Sequence, residues 1–174
     1  MNKVQGKVKF GGVFGVEHWR KGVLLWRELA PNVVTNQGMN HLLDAGFHAS
    51  SAIATWYCAL VETDTTASTA LTYASPSYTE STAYDEATRP AYNEAAASGQ
   101  SITNSANKAV FTIDATKTMY GAALVGGGTA GSTKADTAGG GTLFCYAKFA
   151  ASRAVVDDDV INLTYTLSAA DDGV

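Results

Sequence analysis

Charged residues are scarce in this 174-residue sequence: Asp, Glu, Lys and Arg together make up 16% of it, against about 25% in a typical soluble domain. Ala, Thr, Ser and Gly fill the places that Lys and Glu usually take. A monomer rarely has so little charge on its surface. The shortage predicts surface that is buried in contacts with other molecules, although small neutral residues also suit many β proteins.

Basic residues are few and scattered after the opening segment, and the formal net charge is −4. Without a basic stripe along a phosphate backbone, the sequence argues against nucleic-acid binding. The first ten residues alternate rather than form the apolar core of a signal peptide, and no run approaches the length of a membrane span. We therefore expect a protein that is made in the cytoplasm and does not contact a membrane.

Only two cysteines occur, Cys58 and Cys145, each within an apolar stretch. Buried free thiols are expected rather than a disulfide. A zinc site would need more ligands than these, and the three histidines show no matching spacing. The sequence thus predicts neither a metal nor a cofactor, and its length allows a core that needs neither.

The first thirty residues predict a strand followed by a β-hairpin. Residues 1–10 alternate between apolar and polar, which indicates a half-buried strand. The glycines at 11–12 are expected to end it. Residues 13–20 and 23–29 then flank a short Lys-Gly connection, in which Gly22 can take the positive φ that a hairpin needs.

Residues 35–46 carry apolar side chains at helical spacing, with Thr35 or Asn36 available as N-cap and Gly46 as the C′ residue. One short helix is therefore expected, with its apolar face over the end of a sheet. In residues 53–61 both the odd and the even positions are apolar, which is typical of a strand covered on two faces.

The last third of the chain again predicts strands, separated by a loop at 126–141 that is rich in Gly, Ala and Thr. In the clearest of them, residues 160–167, every second residue is apolar. The predicted strands are 109–113, 118–125, 143–149 and 160–167. The whole chain, 1–174, therefore predicts one mainly β domain: an antiparallel β-sandwich or jelly-roll-like fold with one short helix and extended loops.

Residues 62–107 are rich in Thr, Ser, Ala and Tyr and contain only brief strand-like runs. A structureless loop of this length is uncommon in a compact domain. The segment is either a set of short edge strands or an arm that becomes ordered against a neighbour, and we favour the arm. Its recurring tyrosines provide large contact area with a polar tip.

No catalytic constellation stands out. His18, His41 and His48 fall on a predicted strand, helix and loop, and no signature joins them to a nucleophile. The glycines at 126–128 and 139–141 lack the ending of a phosphate loop and precede a strand.

Acidic pairs offer a second route to chemistry. Glu62 with Asp64, or Asp85 with Glu86, could form the two carboxylates of a glycoside hydrolase, but adjacent acids in loops are usually solvated. The run at 157–159, three aspartates, could bind calcium, but it lacks the EF-hand spacing and fits a solvated turn better. We therefore expect a protein that is not an enzyme.

Several stretches resemble a group of small structural proteins of tailed bacteriophages. They are NVVTNQGMNHLLD at 32–44, IATWYCALV at 53–61, YDEATRPAY at 84–92, ITNSANKAVFTI at 102–113 and MYGAALV at 119–125. The similarity follows one order over most of the chain. The opening hairpin and the glycine-rich loop at 126–141 correspond to the more variable parts of these proteins.

This resemblance implies a virion protein, since members of the group are labelled as head decoration (cement) proteins or as tail components. A decoration protein would bind the major capsid protein or another virion protein as a homo-oligomer, a trimer or dimer, through several weak contacts. A tail or fibre component, including one that binds a host receptor, is the alternative. The resemblance supplies no catalytic residues.

The residues expected at the partner contact are the lysines of the opening strand, the two tryptophans of the hairpin, and the tyrosines and arginine of the arm. They are Lys3, Lys7, Lys9, Trp19, Trp26, Tyr73, Tyr78, Tyr84, Arg89 and Tyr92.

Overall fold

The structure, a computed structural model, describes residues 6–131 and 133–171. Lys3 and Val4 of the predicted opening strand lie outside the described residues. The helix is α1 (Asn36–Phe47). The strands are β1 (Val8–Arg20), β2 (Val23–Pro31), β3 (Val33–Val34), β4 (Trp56–Val61), β5 (Ala91–Tyr92), β6 (Ser101–Thr103), β7 (Ala109–Thr112), β8 (Lys117–Gly126), β9 (Thr142–Val155) and β10 (Asp159–Asp171).

These strands form two five-stranded sheets in which every pairing is antiparallel. The first sheet has the order β2-β1-β10, and both β6 and β7 pair with the far side of β10. The second sheet has the order β3-β9-β8-β4-β5. The prediction of a mainly β, antiparallel sandwich with one short helix is therefore confirmed.

The core between the two sheets follows the alternation of the sequence. On β10, Ile161, Leu163 and Tyr165 are buried, while the residues between them are partly exposed. On β4, Cys58 and Leu60 belong to the core between the sheets. The neighbouring residues of β4 point to a second buried cluster on the other side of their sheet, as expected for a strand covered on both faces.

Strand β1 runs through Gly11 and Gly12 without a break, which corrects the expectation that these glycines end the opening strand. Thirteen consecutive residues of β1 pair with β10 in a single register. Gly12 serves close packing instead of a turn, because a Cβ there would lie 2.6 Å from Asn32 Oδ1. Val8, expected on the buried face, is 66% exposed.

The β1–β2 hairpin is formed as predicted. Its turn residues, Lys21 and Gly22, have φ of +49° and +77°, which is the conformation that two-residue hairpin turns require. After β2 the chain crosses to the other sheet, where β3 pairs with β9.

Helix α1 begins after Thr35, whose hydroxyl accepts a hydrogen bond from the Gly38 N–H at 2.9 Å. This confirms Thr35 as one of the two N-cap candidates. Gly46 lies inside the helix, which ends after Phe47 with His48 as the C-cap. The expectation of Gly46 as the C′ residue is therefore wrong.

The segment 62–107 is not an arm that extends away from the domain, which corrects the favoured interpretation. Its first part packs over the outer face of the second sheet, where Leu71 and Tyr73 join a buried cluster with residues of β4, β8 and β9. Farther along, Tyr84 and Tyr92 enter the core between the sheets, and β6 pairs with β10. Gln37 of α1 anchors it, because the Gln37 amide oxygen accepts from the N–H groups of both Tyr73 and Leu143 at 2.9 Å. Two short strands, β5 and β6, are its regular elements.

The two glycines of α1 provide a test of how closely the helix packs. A Cβ on Gly38 would lie 2.8 Å from Phe144 Cα, whereas nothing lies within 4 Å of one on Gly46. We expect Gly38→Ala to lower the free energy of unfolding by about 1–3 kcal/mol, because a packed backbone has to shift. Gly46→Ala should raise it by about 0.5–1 kcal/mol through helix propensity. Urea unfolding of both variants measures this, and equal effects would contradict the close contact.

Candidate contact surface

Four of the residues expected at a partner contact are buried inside the chain. Tyr73, Tyr84, Tyr92 and Arg89 are 4%, 1%, 4% and 2% exposed. Tyr84 and Tyr92 belong to the core between the sheets, whereas Tyr73 belongs to the cluster on the outer face of the second sheet and accepts a hydrogen bond from Arg89. This burial corrects the expectation that the four form a contact surface. Tyr78 is half-buried and stacks on the ring of Tyr146, with 5.1 Å between the ring centroids.

Arg89 is the centre of a buried polar cluster. Its guanidinium donates two hydrogen bonds to the Glu80 carboxylate, both at 2.7 Å. Its other N–H groups donate to Tyr73 Oη at 3.2 Å, to the Ala130 carbonyl at 2.7 Å and to the Asp136 carbonyl at 3.0 Å. All five N–H groups of the arginine are therefore satisfied, and they join the 62–107 layer to the loop after β8.

The electrostatics of this cluster are those of a structural site. Burial works against the charge of Arg89, but the hydrogen bonds and charge of Glu80 outweigh it and raise the arginine pKa above its ordinary value. Burial also raises the pKa of Tyr73, Tyr78 and Tyr84. These phenols therefore stay neutral at physiological pH.

The lysines and tryptophans of the hairpin have mixed positions. Lys7 and Lys9 are exposed at the start of the described chain. Trp19 and Trp26 are both half-buried near the hairpin turn. Trp19 donates its indole N–H to Glu17 at 3.1 Å. Trp26 points to the core side of its sheet and packs against Phe149, with the Arg153 guanidinium 4.0 Å from its ring centroid. It therefore lies at the border of the core between the sheets.

Strand β2 carries the exposed apolar residues that the sequence did not identify as a contact. Val23, Leu24, Leu25 and Leu29 are 60%, 39%, 49% and 73% exposed. β2 is an edge strand, hydrogen-bonded only to β1. The run of three aliphatic residues directly after the turn was the available signal, since three consecutive apolar residues cannot all face one core.

The histidine with the closest carboxylate is His18, which is buried in β1. Its Nε2 is 2.8 Å from Asp159 Oδ2. The same carboxylate accepts from Arg20 at 2.6 and 2.8 Å and from the Val156 N–H at 2.9 Å. The Asp159 side chain is fully buried, so this cluster ties the end of β1 to the turn before β10.

The acidic pairs and the cysteines also have structural surroundings. Glu62 accepts from Lys117 at 3.0 Å, and Asp64 is ion-paired with Lys148. The Glu86 carboxylate accepts from the backbone N–H of Thr112. Both cysteines are free and fully buried, as predicted, and burial raises the pKa of Cys145 to about 12.

No family model matches this chain, and no curated protein matches its sequence. Within residues 6–131 and 133–171, no group of three His, Cys, Asp or Glu side chains is placed to hold a metal ion. In the same residues, no helix is long and apolar enough to cross a membrane.

The Arg89–Glu80 pair can be tested by truncation. Arg89→Ala leaves the Glu80 carboxylate buried without its partner, and we expect a loss of about 3–5 kcal/mol of unfolding free energy. Arg27→Ala, at an exposed arginine of β2, is the control and should change stability by less than about 0.5 kcal/mol. Chemical unfolding of both variants measures the difference. A small effect of Arg89→Ala would show that the layer does not depend on the pair.

Asp159 predicts an acid-dependent part of stability. Burial would raise the pKa of its carboxyl, but hydrogen bonds from Arg20, the Val156 N–H and His18 outweigh this and hold the pKa well below its usual value. The contribution is therefore complete above about pH 4, where the unfolded chain has lost this proton, and it decreases as the pH falls toward the lower pKa of the folded state.

Asp159→Asn should lower the free energy of unfolding at neutral pH by about 1.5–3 kcal/mol, through weakened hydrogen bonds to a charged group. It should also flatten the loss of stability below about pH 4, because the titrating group is gone. Asp157→Asn, at an exposed position in the adjacent turn, is the control. Thermal and urea unfolding across this pH range would contradict the idea if wild type and Asp159→Asn lost stability in parallel.

Proposed function

We propose that this protein is a non-enzymatic structural subunit of a bacteriophage particle, acting as a head decoration protein. The observation that carries the proposal is the exposed aliphatic edge strand β2, on which Leu29 is 73% and Val23 60% exposed. Full burial of one such side chain contributes about 1.5–3 kcal/mol. A partner that covers the strand would gain several such contributions.

An uncovered apolar edge is otherwise a liability. Sheet edges in soluble proteins usually carry charges, prolines or bulges that prevent pairing with other chains. Strand β2 has a bulge near its turn and a single proline at its end, yet four of its nine residues are exposed aliphatic side chains. This composition is typical of a surface that is covered in an assembly.

The setting in a phage particle is supported by the resemblance of five stretches to small virion proteins. Each of the five contains all or part of an element of the scaffold: α1, β4, β5, β7 and β8. The β1–β2 hairpin lies outside all five. The chain thus combines a scaffold like that of the virion proteins with its own apolar surface, which suits a subunit that fits one particular particle.

As a decoration protein, the subunit would bind the major capsid protein at joints of the shell and hold them against internal pressure. Each contact would be weak. An oligomer that makes several contacts at once binds tightly, because the later contacts form at high effective concentration. No chemical step is required.

The test is addition of the purified protein to preformed, expanded heads that lack it. We expect it to bind these heads and to raise the temperature at which they release DNA. Leu29→Ser should weaken binding, because the strand that the assembly covers loses an exposed leucine and the oligomer that makes several contacts at once is weakened. Leu43→Ser, at a leucine of α1 that is 52% exposed, is the matched control and should bind as wild type does.

Three results would contradict the proposal in different ways. Absence of the protein from DNA-filled heads of a tailless mutant would exclude decoration, and its presence in isolated tails would identify a tail component. Hydrolysis of host polysaccharide by the purified protein would overturn the non-enzymatic role.

A further inference from the structure

We infer that strand β2 docks against a second copy of this chain, on a corner formed by four aspartates, so that neighbouring copies join head to tail. The inference rests on the proposed structural function and names the partner of its exposed strand. The β2 surface consists of Lys21, Leu24, Leu25, Arg27 and Leu29, since a bulge in β2 places Leu24 opposite Trp19, on the same face as Arg27.

The cations that lack a partner identify this surface as positively charged. Among the described residues they are Lys9, Lys21 and Arg27, and all three lie on the β1–β2 hairpin. Arg27 is directly opposite Glu17 on β1, but the Glu17 carboxylate already accepts from Lys108 at 2.8 Å and from Trp19. Other cations contact a carboxylate, a carbonyl or an aromatic ring: Arg20, Arg89, Lys108, Lys117, Lys134, Lys148 and Arg153.

The acidic corner gathers four exposed carboxylates around Ile113. They are Asp85, Asp114, Asp157 and Asp158, and no hydrogen bond or ion pair to a carboxylate of theirs is found in the described structure. The Asp158 N–H donates to the Ile113 carbonyl at 2.9 Å, and the Asp85 N–H donates to the carbonyl of the residue before Ile113 at 2.8 Å. Four like charges held together repel one another, and a cationic partner would relieve that repulsion.

Asp85 and Asp114 lie at the β7 edge of the sheet, on the far side of β10 from β2. Asp157 and Asp158 lie in the turn before β10, at the end of the sheet that also holds the β1–β2 turn, since Arg20 is paired with Asp159. The order across the sheet is β2-β1-β10-β7, and Asp114 follows the end of β7. With neighbouring strands about 4.8 Å apart, β2 and β7 are separated by roughly 14 Å. Arg27 and Leu29, which lie farther along β2 from that turn, therefore meet the acidic corner in a neighbouring copy. Val110 on β7 is 42% exposed and provides an aliphatic contact beside the acidic corner.

Two different surfaces of the same chain form a heterologous contact. Such a contact closes into a ring when the rotation between copies allows it. The aliphatic residues of β2 would supply the buried area, and Lys21 and Arg27 would select the orientation.

Sedimentation velocity of the full chain over a concentration series tests the contact without any capsid. We expect self-association that weakens at high salt, because the charge pairs are at the rim. Arg27→Glu and Asp158→Lys should each weaken it by at least about tenfold. Lys9→Glu is the matched charge reversal outside the β2 surface and should associate as wild type does.

Mixing the two defective variants gives the decisive result. The Asp158→Lys copy keeps an intact β2 surface, and the Arg27→Glu copy keeps an intact acidic corner. Together they should associate at least about tenfold more tightly than either variant does alone, because one contact in each mixed pair is then wild type. A thermal melt of each variant confirms that it is folded, which is expected because both side chains are exposed and unpaired.

A monomeric wild type, or full association of Asp158→Lys alone, would overturn the inference. Either result would leave head binding as a separate measurement, so failure of self-association and failure of the proposed function are told apart. Wild-type rings that do not bind heads would retain the inference and remove the decoration role.

Discussion

The buried ion pair between Arg89 and Glu80 is the constraint on which the arrangement of the molecule depends. The segment 62–107 has little regular structure, and only short stretches of its backbone are hydrogen-bonded to the sheets, as where the Ser81 N–H donates to the Leu60 carbonyl. Arg89 fixes it by joining Glu80, in the same segment, to Ala130 and Asp136 in the loop after β8. Removing an ion pair from water is costly, and here the cost is offset by five hydrogen bonds from one side chain.

This constraint decides which surface is left for partners. Because the 62–107 layer covers the second sheet, that sheet is buried on both faces by its own chain. In the part of the chain that the structure describes, no such layer covers the outer face of the first sheet. The exposed aliphatic residues consequently collect at its edge, and the low charge of the sequence is explained partly by a core with two layers and partly by that edge.

Much of the fold could be predicted from the alternation of apolar and polar residues. Most of the wrong predictions concerned the order of the strands and the packing of distant segments. The pattern of β10 and the double-sided pattern of β4 were read correctly because each is set by residues adjacent in sequence. The tyrosines were misassigned because a layer over the chain's own sheet and an arm over a neighbour bury the same residue types. Arg89 could not be placed, since its carbonyl partners are 41 and 47 residues away. The edge position of β2 depends on the order of strands, which periodicity does not report.

The burial of the two cysteines has a consequence for how the protein resists oxidation. Cys58 and Cys145 lie on strands that flank β8, each opposite Leu124, and neither thiol reaches solvent. With the pKa of Cys145 raised to about 12, almost none of it is thiolate at neutral pH, and the thiolate is the form that oxidants attack. Burial and the raised pKa thus protect the Cys145 thiol from oxidation.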